Sequence, residues 1–248
     1  LSFDDEGGVR MALADCGFAL SSVPPGGEGA DPVLERYGNA LAGKWLGYLS
    51  STGVYGDTGG AWVDESAPVG RGRRSARSTC DAEWLEHGAR VFRLPGIYGP
   101  GRSIIERVRE GRAHRIDLPG QVFSRVHVDD IASGVVAALE NAAPPGAYNL
   151  SDDLPCSQNR LVEEACRLLR LPLPPLQTLD EAALSPMARG FYAENRRVAN
   201  GKAKRMLGWR LRFQDYREGL GSLLRPESAT NSPVSAMTAP APASQDQR

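Results

Sequence analysis

The sequence predicts an α/β protein with a mainly parallel sheet, and three observations carry that reading. Short apolar runs recur over 17–23, 46–50, 89–94 and 147–150, each bounded by turn-forming residues. Between them lie segments with helical spacing, over 32–41, 75–87 and 129–141. Strands that alternate with helices are joined by crossovers, and crossovers of this kind set neighbouring strands parallel.

Taken in order, Leu1-Ser-Phe-Asp4 reads as the tail of a strand, followed by a short segment over 9–15. Gly17-Phe-Ala-Leu-Ser-Ser-Val23 reads as a buried strand that enters a loop at Pro24-Pro25-Gly26-Gly27. Val33, Leu34, Tyr37 and Leu41 mark one face of the helix over 32–41. The strand over 46–50 comes next, then a helix over 75–87 that ends near Gly88, then the strand over 89–94. Ser103 is placed to cap a helix over 103–110 closed by Gly111, and Asp129 to cap the helix over 129–141. A strand over 147–150 precedes the helix over 157–171, whose apolar face carries Leu161, Val162, Ala165, Leu168 and Leu169. The proline-rich link Leu171-Pro-Leu-Pro-Pro175 leads into a C-terminal segment. Beyond Arg225 large apolar residues all but vanish, so 225–248 is predicted to be disordered. The expected division is a sheet-bearing domain over 1–150, a small C-terminal lobe over 151–224 and that tail.

With 248 residues, the chain is long enough to bury a substantial core. Lys and Arg number 29 against 30 Asp and Glu, so no global charge draws the protein to nucleic acid or an anionic membrane. No apolar run approaches the roughly 18 residues of a membrane span. Cys16, Cys80, Cys156 and Cys166 are far apart and form no Cys-x-x-Cys pair, which argues against a zinc site or a disulfide scaffold. The expectation is a soluble intracellular protein, cytoplasmic or organellar (a plastid included), with a small-molecule substrate, no metal, and a homodimer left open.

Three runs carry a resemblance. Tyr48-Leu-Ser-Ser-Thr-Gly-Val-Tyr-Gly-Asp57 is an apolar strand ending in hydroxyls, a glycine turn and a carboxylate. Val91-Phe-Arg-Leu-Pro-Gly-Ile-Tyr-Gly-Pro-Gly101 and Arg125-Val-His-Val-Asp-Asp-Ile131 follow in the same order. Together they resemble the NAD(P)-dependent epimerase/dehydratase family, the extended and atypical short-chain dehydrogenases, over about 1–220. The resemblance implies a Rossmann-like, doubly wound parallel sheet lacking its first two strands, with a small C-terminal substrate lobe. It also implies that the natural protein has an upstream segment that completes the cofactor site.

What the resemblance implies for the site is specific. Ser51, Thr52 and Tyr55 fall at catalytic positions, with the Ser51 hydroxyl polarising a substrate oxygen. Asp4, Ser22, Val23, Pro24, Ser50, Pro95, Gly96 and Ile97 fall where NADP or NAD is held. Arg102, Arg125, His127 and Tyr192 fall where substrate is held. His127, Asp129 and Asp130 have no third ligand at a metal-binding spacing.

Two departures narrow the expectation. No G-x-G-x-x-G turn follows an opening strand. The family's Tyr-x-x-x-Lys pair is also absent: the window Arg71-Gly-Arg-Arg-Ser-Ala-Arg-Ser-Thr79 holds neither residue, no tyrosine lies between Tyr55 and Tyr98, and no lysine lies between Lys44 and Lys202. The arginines Arg71, Arg73, Arg74 and Arg77 supply charge but stay protonated, which suits a phosphate or carboxylate better than proton transfer. The expected function is an NAD(P)-binding oxidoreductase or epimerase acting on a small substrate, nucleotide-linked ones included. The alternative is a non-catalytic NAD(P)-sensing or RNA-associated protein on the same fold.

Overall fold

The structure is a computed structural model and describes residues 1–26, 29–72 and 75–224. The elements run α1 (Glu6–Ala14), β1 (Phe18–Ser21), α2 (Pro32–Tyr37), β2 (Trp45–Ser51), β3 (Trp62–Val63), α3 (Ser75–Glu86), β4 (Arg90–Leu94) and β5 (Gly96–Tyr98). After these come α4 (Ile104–Arg109), β6 (Arg115–Ile116), β7 (Arg125–His127), α5 (Val128–Glu140), β8 (Gly146–Asn149) and α6 (Gln158–Leu169). Last are β9 (Leu176–Gln177), α7 (Pro186–Phe191), β10 (Arg197–Val198), α8 (Gly201–Leu207) and α9 (Tyr216–Ser222).

The main sheet has the order β1-β2-β4-β8, and every pair in it is parallel. β2 and β4 are short and largely apolar on both faces, as a sheet covered by helices on both sides requires, whereas β1, expected to be buried, is the edge strand and leaves Phe18 and Leu20 57% and 45% exposed. Residue alternation divides the core accordingly. On one face Leu46, Tyr48 and Val91 pack with Trp84 and Cys80 of α3. On the other, Phe92, Leu94, Tyr148 and Leu150 pack with Ile131 of α5, Leu207 of α8 and Trp209. This is the doubly wound α/β arrangement that the sequence predicts.

Asp31 and Trp84 show how local and tertiary structure reinforce each other. One Asp31 oxygen accepts from the Val33 and Leu34 amides at 2.9 and 3.0 Å, capping α2, with Pro32 in the first turn. The other accepts the Trp84 indole N–H at 2.7 Å, and the Trp84 ring stacks on Tyr48 with centroids 5.2 Å apart. Trp84→Ala would empty this fully buried site at a cost of about 3–5 kcal/mol.

The segment after residue 150 is tied to the earlier part by short parallel pairs, β10 with β3 and β9 with β6, and by α6 and α9 packing on α4 and β7. A third core joins them, with Ile105, Val108, Leu161, Val162 and Leu220 at its centre.

Two expectations are corrected. Leu1-Ser-Phe-Asp4 is not a strand: it turns into α1, with Asp5 capping that helix through the Gly8 amide at 3.0 Å. No strand of the described sheet lies beside it, so extended backbone there would leave its peptide groups without partners. Phe3 instead packs edge-on against Tyr37, 5.4 Å between centroids. Asp129 does not cap α5. His127 does, its Nδ1 accepting from the Asp129 amide at 3.1 Å, while the Asp129 carboxylate pairs with Arg212 at 2.9 Å. The Ser103 cap forms as expected, as a full capping box with Glu106. The tail over 225–248 lies outside the described residues.

Candidate functional site

Because the sheet is parallel, its strands end along a single edge. The register sets Ser51 opposite Leu94 and Ser21 opposite Tyr48, so Ser51, Pro95 and the segment from Ser22 to Pro24 follow the carboxyl ends of adjacent strands. That edge is where open α/β sheets hold ligands.

The turn after β2 is shaped by hydroxyls and glycines. The Ser51 Oγ accepts from the Gly53 amide at 3.1 Å and caps a 3-10 turn over Thr52–Tyr55. Gly56 then takes φ 69°, a conformation that favours glycine. Gly72 comes so close to this turn that a Cβ on it would lie 2.0 Å from the Gly53 carbonyl oxygen. This close approach brings the start of α3, and with it Arg77, beside Ser51.

The result is a cleft of about 170 Å³ lined by Ser51, Thr52, Arg77, Pro95 and Ser124, with Phe191, Glu194 and Arg196 closing it from the later segment. Arg77 Nη1 lies 3.5 Å from the Tyr48 hydroxyl, which burial pushes up to about 12 despite that cation. Tyr48 therefore stays a neutral phenol. The Ser124 hydroxyl accepts from the Val198 amide at 2.9 Å, and Arg196 pairs with Glu194 at 2.9 Å while donating to the Gly56 carbonyl at 2.7 Å.

Tyr55 and Ser50 belong to a buried polar network behind the cleft. Arg93 donates to Tyr55 at 3.0 Å, and Tyr55 donates to Asn149 at 2.8 Å. The Ser50 hydroxyl donates to Asp81 at 2.6 Å. Burial raises the pKa of the Tyr55 phenol against the pull of Arg93. The structure thus commits both hydroxyls to the protein interior and leaves Ser51 and Thr52 in the cleft.

The other residues of interest are dispersed. Pro95 lines the cleft, while Ile97 packs into the core and Gly96 opens onto a neighbouring chamber. Asp4 is exposed and paired with Arg36 at 2.5 Å. Arg102 is exposed on a turn outside the cleft lining. Arg125 is buried, donating to the carbonyls of Phe123 and Cys156 at 3.0 and 3.1 Å and to Gln158 at 3.1 Å. His127 is enclosed by Tyr98 and Phe213, and burial lowers its pKa, so its ring is neutral. Tyr192 lines the neighbouring chamber. Arg73 and Arg74 lie outside the described residues.

The sequence reading missed Ser124, Glu194 and Arg196. They reach the cleft through the β5 with β7 and β3 with β10 pairings, which no periodicity announces. Arg77 was visible as one of four arginines, but only the Gly72 contact singles it out.

A nicotinamide dinucleotide fits this edge in part. Ser51, Thr52, Arg77 and Pro95 supply hydroxyls, a cation and an apolar wall there. Among the described residues no glycine turn cradles a pyrophosphate: a Cβ on Gly29, which takes φ 91°, would lie 3.4 Å from the Ala76 Cβ of α3.

Comparison with known proteins bears on the fold. No protein-family model matches the chain. It is 32% identical over 142 residues to a 3-diazoavenalumate denitrifying reductase from a Streptomyces species, a match covering 53% of this chain. The chain thus spans 45% of the length of that curated relative. It superposes on a dTDP-glucose 4,6-dehydratase from Bacillus anthracis in complex with NAD with a TM-score of 0.67, at 15% identity, over 88% of this chain and 75% of that one. A functionally unknown conserved protein from Silicibacter pomeroyi is 44% identical, with a TM-score of 0.78 over 85% of this chain and 78% of that one. The chain belongs to the same family as that conserved Silicibacter pomeroyi protein, and its fold is the Rossmann-like fold of the NAD-dependent epimerases and dehydratases.

Proposed function

We propose that this chain forms the nicotinamide and substrate side of an NAD(P)-dependent reductase. The observation that carries the reading is the cleft at the carboxyl edge, which Ser51 and Arg77 line together and which no tyrosine or lysine lines among the described residues. A bound nicotinamide supplies or accepts hydride. The Ser51 hydroxyl donates a hydrogen bond to a substrate oxygen, and the Arg77 guanidinium stabilises negative charge that develops there. Arg77 does not give up its own proton, so a proton needed to neutralise that charge enters from water through the open cleft.

Epimerisation needs a group that takes a proton and returns it near neutral pH. Neither Ser51, Arg77 nor the buried Tyr48 phenol does so unaided, which favours a one-way reduction. The curated relative named as a denitrifying reductase supports the same direction. Whether NADP or NAD is used turns on residues that read the ribose 2′ position.

Titrating the purified protein with NADPH and with NADH while following cofactor fluorescence tests the reading. Saturable binding of one of them, with Ser51→Ala lowering hydride transfer about 10²-fold at unchanged cofactor affinity, is the expected result. A folded protein that binds neither excludes it. The rival reading, a non-catalytic NAD(P) sensor, rests on the missing Tyr-x-x-x-Lys pair. It predicts cofactor binding with no hydride transfer in wild type.

A further inference from the structure

We infer that the chamber next to the cleft is a carboxylate-binding pocket that selects a small aromatic acid as the substrate. The inference deepens the reductase reading and rests on it. The chamber holds about 220 Å³ and shares Phe123, Ser124 and Phe191 with the Ser51 cleft, so a ligand seated in it borders the reacting edge.

Its lining combines apolar walls with a concentration of unmet donors. Among the described residues the Arg107 guanidinium has no carboxylate partner, and its one hydrogen bond is a long one of 3.4 Å to the Arg112 carbonyl. His114 and the Tyr192 hydroxyl also line the chamber and have no hydrogen-bond partner among the described residues. Arg125 adds a second guanidinium at the back, held in place by its carbonyl contacts. Among the described residues no Asp or Glu lines the chamber. Arg107, which no carboxylate faces among the described residues, together with a phenol and an imidazole and with Arg125 behind them, is a ready receptor for a monoanion, and guanidinium meets carboxylate in a two-point geometry.

The walls select what carries that anion. The Phe123 and Tyr192 rings meet edge to face with centroids 5.7 Å apart, and Phe191 and Ile104 complete an apolar enclosure. The volume is below the roughly 300–1,000 Å³ of pockets for drug-sized ligands. A flat ring with a short acidic arm fits such a space, with its far end toward Ser124 and the cleft. A nucleotide diphosphate-sugar is larger and carries more charge than this lining answers.

Isothermal titration of the purified protein with 4-hydroxycinnamate, its methyl ester and UDP-glucose tests the assignment, in wild type, Arg107→Ala and Arg107→Lys. Arg107 is exposed, and a matching thermal melt confirms that each variant is folded. The acid should bind at least tenfold more tightly than the ester and than UDP-glucose. Arg107→Ala should weaken the acid about tenfold and leave the ester unchanged, with partial recovery in Arg107→Lys. Equal affinity for acid and ester, an unchanged Arg107→Ala, preference for UDP-glucose or no binding of the acid would each overturn the pocket assignment. Acid binding by wild-type protein that transfers no hydride from NADPH or NADH would leave the pocket standing and remove the reductase reading.

Discussion

Arg93 and Asp81 form a two-point ion pair in the interior, Nη2 to Oδ2 at 2.6 Å and Nε to Oδ1 at 3.1 Å, with the side chains only 3% and 1% exposed. The pair joins β4 to α3 behind the strand end that carries Ser51. Removing one partner leaves the other charge buried and unanswered, so Asp81→Asn is expected to cost about 3–5 kcal/mol in urea denaturation. The double variant Asp81→Leu with Arg93→Met should recover most of that loss. A single-variant cost below about 1 kcal/mol would show that the pair is not a structural anchor.

Tyr55 hangs from the same network, accepting from Arg93 and donating to Asn149. Tyr55→Phe is expected to lower stability by about 1–2 kcal/mol through these lost bonds. Hydride transfer should change less than threefold. A loss comparable with that of Ser51→Ala would instead place the Tyr55 phenol in the chemistry.

Asp152 is 2% exposed, and burial pushes its carboxyl from 3.8 up to about 8, against the pull of Arg125 and the Leu154 amide. The folded protein therefore keeps a proton that the unfolded chain releases between about pH 4 and pH 8. The unfolded state binds fewer protons across that window, so this group makes stability fall as pH rises through it. Asp152→Asn should flatten the decline, with a gain in melting temperature that grows from pH 5 to pH 9. Parallel profiles for variant and wild type would contradict the assignment.

Tyr98 and Gly219 are packed against each other. A Cβ on Gly219 would lie 2.0 Å from the Tyr98 hydroxyl oxygen, and that hydroxyl is buried without a partner among the described residues. Gly219→Ala is expected to destabilise by about 1–3 kcal/mol through overpacking. Tyr98→Phe alone should be neutral or stabilising, because it removes an unsatisfied polar group. Combined, the two should cost less than their sum in a double-mutant cycle, and strict additivity would refute the contact.

The strands and helices that build the sheet were legible because their signals are local: the apolar run over 17–23 contains β1, the spacing of Val33, Leu34, Tyr37 and Leu41 marks α2 and the turn after it, and Ser103 with Glu106 writes its own cap. Leu1-Ser-Phe-Asp4 misled because strand formation depends on a neighbour that a short segment cannot declare. Asp129 misled because the helix begins two residues earlier than an Asp129 cap requires, and His127 takes the cap position by accepting from the Asp129 amide. Within the site, Ser51 was visible through its motif, whereas the separation of Ser51 from Ser50 and Tyr55 depends on which face meets α3. The chamber near Arg107 joins residues from α4 to α7, and only the folded chain brings them together.

On the proposed function, Ser51, Arg77 and Pro95 mark where a nicotinamide is held. Hydrogen-exchange mass spectrometry of the protein with and without saturating NADPH or NADH measures it directly, because backbone amides at a ligand site slow their exchange on binding. The account predicts protection concentrated in 49–54, 75–79 and 94–98 with the preferred cofactor. Unchanged exchange in those three segments with both cofactors would contradict it.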